Sequence, residues 1–198
     1  GQITTSDGKI YYIPGINMSI DYCPALLYNT YWLRQLDLKA PTTTDEFRKV
    51  LDAMKGVDFN GNGEADEFPL FTQTGYLLCF GSSWGLNLQS GYWENEEGKV
   101  EPSYISERYL DFLTFFKGLY DDGLMIPDFA SVSSDINNQQ AVNNQFGFIM
   151  HYLNFAHTFS NFYYQGIGEE WDTVNGELAW VPLEAPLKGP FGHQLYNG

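Results

Sequence analysis

Basic residues are scarce in this chain. Ten Lys and Arg stand against twenty-five Asp and Glu, a formal charge of −15 with a pI near 4.3. A surface of that sign repels phosphate backbones and anionic lipid headgroups, so a nucleic-acid partner and a basic membrane-surface role are set aside. Cysteine is scarcer still, with Cys23 and Cys79 the only two. They form no C-x-x-C pair, and their neighbours (Tyr22 and Pro24, Leu78 and Phe80) are largely apolar. Buried thiols fit that setting better than metal ligands, with a disulfide left open. No apolar run is long enough to span a bilayer. No signal peptide or lipid-anchor cysteine stands near the start, so an exported form would need a segment this sequence does not carry. P-loop, H-E-x-x-H and dinucleotide glycine patterns are missing, as are internal repeats.

What is present suits one globular domain or one large lobe of a bigger protein: 198 residues, 43% hydrophobic and 17% aromatic. The aromatic excess serves equally as core or as flat platforms for sugar rings, and composition does not choose.

Turn signals and periodicity place short strands at residues 9–13, 25–28, 68–71, 76–80, 146–150 and 178–183. A brief helix is predicted over 31–36. A stronger one follows Pro41, where Thr43 and Glu46 have capping-box spacing and Phe47, Val50, Leu51 and Met54 form one stripe. Residues 106–120 read as a long amphipathic helix turning Tyr109, Leu113, Phe116 and Leu119 or Tyr120 inward, stopped at Asp121-Asp122-Gly123. Residues 134–142 read as a weaker helix, aromatic-rich sequence to Tyr164 as a further helical stretch, and 94–99 as a hairpin tip. Short strands alternating with helices predict an α/β layered fold.

The most specific stretch runs from Asp58 to Glu67. Side-chain oxygens fall at loop positions one (Asp58), three (Asn60), five (Asn62) and nine (Asp66), with Gly63 at the sharp turn and Glu64 offering its carbonyl. A hard cation such as Ca²⁺ wants this donor set. At position twelve, however, Pro69 replaces the bidentate Glu of an EF-hand, so Glu67 would close the shell. A calcium ion here would be structural, with no open coordination position for chemistry. The alternative is a run of Asx and glycine turns that holds no metal.

Several stretches, in order, carry a family resemblance. They are Leu27 to Leu38, Pro41-Thr42-Thr43-Thr44-Asp45-Glu46-Phe47, the loop from Asp58 to Leu70, and Tyr120 to Phe129. Phe146 to Met150 and Pro186-Leu187-Lys188-Gly189-Pro190 continue the series, with Asp7 to Tyr11 before it. Together they resemble the extracellular solute-binding proteins (family 1) of ABC sugar importers, in the branch that takes alginate and other oligosaccharides. Two departures stand out: the family's D-W pair is Tyr31-Trp32, and its L-G-L is Leu36-Asp37-Leu38. Family members are also about twice this length.

The resemblance implies that 1–198 form a single lobe of a type II periplasmic-binding-protein fold, the first lobe being absent. It implies capture of a carbohydrate for an ABC permease, a monomer, and an extracellular protein tethered as a lipoprotein. The family's structural calcium ligands map to Asp58, Asn60, Asn62, the carbonyl of Glu64, Asp66 and Glu67. Solute would meet loops at the carboxyl ends of strands, where Trp84 and Tyr152 offer stacking faces and His151 and Asn154 hydrogen bonds. A calcium-dependent lectin or carbohydrate-binding module is the other binding reading. Among enzymes, a glycosidase carboxylate pair is singled out by nothing. Gly81-Ser82-Ser83-Trp84-Gly85 satisfies the G-x-S-x-G nucleophile elbow, with Asp172 and His193 following in hydrolase order, but no capped helix pattern succeeds it.

Overall fold

A computed structural model describes residues 24–95 and 97–191. The strand predicted at 9–13, the match at Asp7 to Tyr11, Cys23 and His193 lie outside the described residues.

Six strands and six α-helices are described: β1 Pro24–Asn29, α1 Thr30–Gln35, α2 Thr44–Met54, β2 Phe68–Phe71, α3 Thr74–Leu77, β3 Tyr92–Glu94, β4 Val100–Pro102, α4 Glu107–Asp121, α5 Ser134–Val142, β5 Phe146–Tyr152, α6 Phe155–Gly166 and β6 Trp180–Pro182. A mixed sheet runs β2-β5-β1-β6, with β2 and β5 parallel and both pairings of β1 antiparallel. β3 and β4 form a separate hairpin. In β5 the first six residues are buried, which is why this strand reads as a continuous apolar run instead of an alternation. Pro69 is tolerated because β2 lies at the end of the sheet. Its outer side is met by the chain leaving α4, where the Leu70 N–H donates to the Leu124 carbonyl and the Ile126 N–H to that of Leu70.

The sheet separates two apolar clusters. Leu26, Leu70, Phe148 and Met150 pack with α2 and α4, while Leu27, Phe71, Phe146 and Ile149 pack with α6 and Trp180. This is the layered α/β arrangement expected.

At the N-terminus of α2 the Thr43 hydroxyl accepts from the Glu46 N–H at 3.1 Å, as the capping box requires. The Glu46 carboxylate reaches one residue further back, to the N–H and hydroxyl of Thr42. α4 begins one residue later than predicted, because Ser106 is its cap.

Two expectations fail. The apolar run 76–80 is not a strand: it passes from α3 into a 3-10 helix, Leu78–Trp84. In α4 the buried face is Phe112, Phe116 and Leu119, leaving Leu113 and Tyr120 largely exposed. Trp84, brought in by the 3-10 helix, packs on Phe112 and Phe116 and so selects that face.

Candidate functional site

Two constellations stand at opposite ends of β2 and β5. Phe68 pairs with Phe146 at one end and Phe71 with Ile149 at the other, a separation of roughly 10 Å at 3.3 Å per residue.

The 58–67 loop lies at the end where both strands begin. Asp58 accepts from the N–H groups of Gly61 (2.7 Å) and Gly63 (2.9 Å), and Asn62 Oδ1 from that of Glu64 (2.7 Å). Gly61 and Gly63 have φ of +72° and +89°, so the turn needs glycine at both. Glu67 Oε1 accepts from the N–H groups of Phe59 (2.7 Å) and Asn60 (3.1 Å). The loop is pinned to the segment before β5, with Gln145 Nε2 donating to Asp66 Oδ2 at 2.7 Å and Asn60 Nδ2 to the Asn143 carbonyl at 3.0 Å.

The expected six-ligand shell is not assembled here. Among the described residues no group of three or more His, Cys, Asp and Glu is arranged to hold a metal. The physical reason is that Asp58, Asp66 and Glu67 each turn oxygens toward N–H donors of the loop or of Gln145, and not toward a common point. Asn60 and Asn62 close Asx turns, and Glu64 is exposed. One atom does not fit a metal-free turn network: Glu67 Oε2 is buried and has no hydrogen-bond partner. A buried carboxylate oxygen left unpaired is costly, and a hard cation among these oxygens would satisfy it.

At the other end the sheet opens into a groove of about 430 Å³ lined by Pro24, Gln73, Gly75, Tyr76, Gln89 and Tyr152. Tyr152 is the last residue of β5 and half-buried. Tyr76 meets it edge to face at 5.7 Å and hydrogen-bonds to it, and burial pushes the Tyr76 phenol up to about 12, so it stays a neutral donor.

Of the four residues expected at the solute, only Tyr152 lines this groove. Asn154 is exposed at the start of α6. His151 is 8% exposed, its ring 3.8 Å from that of Phe155 and stacked on Tyr76 at 4.7 Å. Its Nδ1 accepts from the Tyr152 N–H, and burial pushes the imidazole down to about 4, so it is a neutral structural group. Trp84 is 1% exposed, with Phe112, Phe115 and Phe116 against its ring and its Nε1 donating to Asp111 at 2.7 Å. It has no free face for a sugar. Gln73, Tyr76 and Gln89 also line the groove and are not among the residues expected there, because a strand over 76–80 puts the loop that follows it at Ser82-Ser83-Trp84. Gln73 was findable, since it follows the correctly placed β2.

The serine-hydrolase reading is overturned. Ser83 is 2% exposed inside a 3-10 helix, with no strand before it, so no elbow presents its hydroxyl. Asp172 accepts from the Val174 and Asn175 N–H groups of its own turn. Cys79 carries a free thiol, held by Gln89 Nε2 at 2.9 Å.

No protein-family model matches the chain. It is 32% identical over 195 residues to lipoprotein LipO of Bacillus subtilis, covering 96% of this chain and 37% of LipO. Over 136 residues it is 32% identical to the fructooligosaccharide ABC transporter substrate-binding protein FusA of Streptococcus pneumoniae, covering 62% of this chain and 25% of FusA. The polygalacturonan/rhamnogalacturonan-binding protein YtcQ of Bacillus subtilis is 31% identical over 134 residues, with 65% of this chain and 26% of YtcQ covered. Solved structures of S. pneumoniae FusA, one with kestose and one an EF-hand mutant with fructo-nystose, superpose with a TM-score of 0.71 at 25% identity. Each covers 96% of this chain and 38% of FusA. The matched region thus spans between a quarter and little more than a third of the length of these curated relatives, and FusA and YtcQ are named as binding proteins. By sequence and by fold the chain is homologous to ABC-transporter substrate-binding proteins and forms part of a lobe in their periplasmic-binding-protein-like architecture.

Proposed function

We propose that this chain is one lobe of a two-lobed extracellular protein that captures an oligosaccharide for an ABC importer. The observation that supports it most is the groove at the carboxyl ends of β2 and β5, where two mutually bonded tyrosines and two glutamines face solvent. Tyrosine faces cover the apolar side of a sugar ring and amides bond its hydroxyls. FusA is solved with kestose, which favours the same ligand class for this groove. Tethering as a lipoprotein follows LipO, and the acidic surface favours a monomer with no nucleic-acid partner.

In the same reading the 58–67 loop holds calcium through Asp58, Asn60, Asn62, the Glu64 carbonyl, Asp66 and Glu67, where the ion would supply positive charge to oxygens that otherwise face their own backbone. An EF-hand in FusA supports this, as does the orphan Glu67 oxygen. The loop's distance from the groove makes the ion structural and argues against a lectin whose metal touches sugar.

Titrating neutral and acidic oligosaccharides into the full-length protein and into this chain alone tests the proposal. Binding by the full-length protein, lost or strongly weakened in the lobe and in Tyr152→Ala, is the expected result. Equal affinity in both refutes the two-lobed reading, and no saccharide binding refutes sugar capture.

A further inference from the structure

Acidic and neutral oligosaccharides demand different groups. A uronide carries one carboxylate per sugar ring, and its recognition calls for guanidinium, ammonium or convergent N–H donors. A neutral sugar presents hydroxyls, each able to donate, and is matched by acceptors and neutral phenols.

The groove is of the second kind. Among the described residues no Lys or Arg lines it, and none lines the smaller hollow that adjoins it at Pro24, where Glu184 supplies a negative charge. Six of the described cations are engaged or placed elsewhere. Arg34 pairs with Glu177, Arg48 with Asp52 and Asp122, Lys99 with Glu101 and Lys117 with Asp121, while Arg108 lies over Trp93 and Phe191. Lys188 lines a separate hollow beside Asp45 and Asp111. Each groove glutamine gives one amide N–H to the protein: Gln73 Nε2 to the Val132 carbonyl at 3.2 Å, and Gln89 Nε2 to Cys79 Sγ at 2.9 Å. Each keeps its Oε1 as an acceptor and its second amide N–H as a donor, a neutral pair that matches a hydroxyl and brings no positive charge to a carboxylate. His151, buried behind Tyr76, is neutral above about pH 4 and adds no positive charge.

We infer that this groove selects neutral oligosaccharides and rejects uronides, with Gln73 and Gln89 as the residues that set the discrimination. The inference rests on the reading that the groove takes a sugar, and goes beyond it by fixing the charge class.

The test is calorimetric titration of the full-length protein with trisaccharides of matched length: kestose, maltotriose and xylotriose on the neutral side, trigalacturonate and a mannuronate trimer on the acidic side. At least one neutral sugar should bind ten-fold or more tighter than either uronide. Gln73→Arg and Gln89→Lys should each raise uronide affinity several-fold, with a gain that shrinks in high salt. Glu184→Gln should improve uronide binding more than neutral binding. A uronide bound as tightly as, or tighter than, every neutral sugar overturns the inference while leaving sugar capture standing. Unchanged uronide affinity in both cationic variants overturns the assignment of the two glutamines. If neither class binds, sugar capture falls and the charge selection with it.

Discussion

The indole of Trp32 and the ring of Phe59 stack nearly parallel, 3.8 Å apart between centroids and 6° from coplanar. Trp32 belongs to the core and Phe59 to the 58–67 loop, so this stack joins a polar, glycine-rich loop to the hydrophobic interior. Trp32 is fixed from behind as well. Its Nε1 donates to Asn144 Oδ1 at 3.2 Å, and its ring lies so close to Gly147 that a Cβ there would stand 2.6 Å from it.

Phe59→Ala should therefore cost about 2 kcal/mol of stability, at the low end for a buried aromatic because Phe59 is only half-buried. Chemical denaturation gives the magnitude. Hydrogen exchange should show the loss of protection centred on 58–67 and the start of β2, not on the tyrosine groove. Uniform loss across the chain would show that the stack does not act locally.

The orphan Oε2 of Glu67 yields a second expectation. Saturating calcium should raise the melting temperature above that in chelator, by about 2.7 kcal/mol of stabilisation at a hundred times the dissociation constant. Glu67→Gln should abolish most of that increment. Chelation should lower stability before it lowers sugar affinity, because the loop and the groove sit at opposite ends of β2. A melting temperature indifferent to calcium, or equal calcium responses in both proteins, would remove the cation from the loop.

How much of this was readable beforehand differed by kind of feature. β5 was legible because a buried strand needs no alternation, and α2 because its cap and stripe agree. The face of α4 was not. Tyr109, Leu110, Phe112, Leu113, Phe115, Phe116, Leu119 and Tyr120 surround the helix with apolar side chains, and only the arrival of Trp84 from a distant segment selects a side. The run 76–80 was ambiguous because short apolar stretches lack a period. The loop donors are close in sequence and their spacing was informative. The groove gathers Pro24, Gln73, Gln89 and Tyr152 from four separate segments, so only topology reveals it.

Asp37 and Asn144 are the non-glycine residues with positive φ among the described residues, at 53° and 54°. Asp37 follows the C-cap of α1 in the turn that leaves the helix, where the Leu38 N–H donates to the Leu33 carbonyl at 2.8 Å. Asp37→Gly should stabilise the fold by about 0.5 kcal/mol, since removal of left-handed strain slightly exceeds the added entropy of the unfolded chain. Asn144→Gly relieves the same strain but removes the buried oxygen that accepts from both Asn29 Nδ2 and Trp32 Nε1. It should destabilise by about 2 kcal/mol. Urea titrations in which both glycine variants shift the same way would contradict this assignment.

His151 sets a dependence on acid. Its imidazole titrates near 6.5 in an unfolded chain, while burial among Tyr76, Phe155 and Phe159 pushes it down to about 4 in the fold. Between these values the unfolded chain binds a proton that the folded chain refuses, so stability falls as pH drops from about 6.5 toward 4 and rises again with pH across that window. The full effect is on the order of 3 kcal/mol at 1.4 kcal/mol per unit. Below about 4 the folded imidazole also protonates and this contribution stops growing. His151→Phe keeps an aromatic ring in the stack, loses the acceptor for the Tyr152 N–H, and removes the titration. The variant should be somewhat less stable at pH 7.5 yet lose less on acidification, its denaturation midpoint falling by a smaller amount from pH 6.5 to 4.5. Parallel pH profiles for the two proteins would mean that His151 is as accessible to protons in the fold as in the unfolded chain.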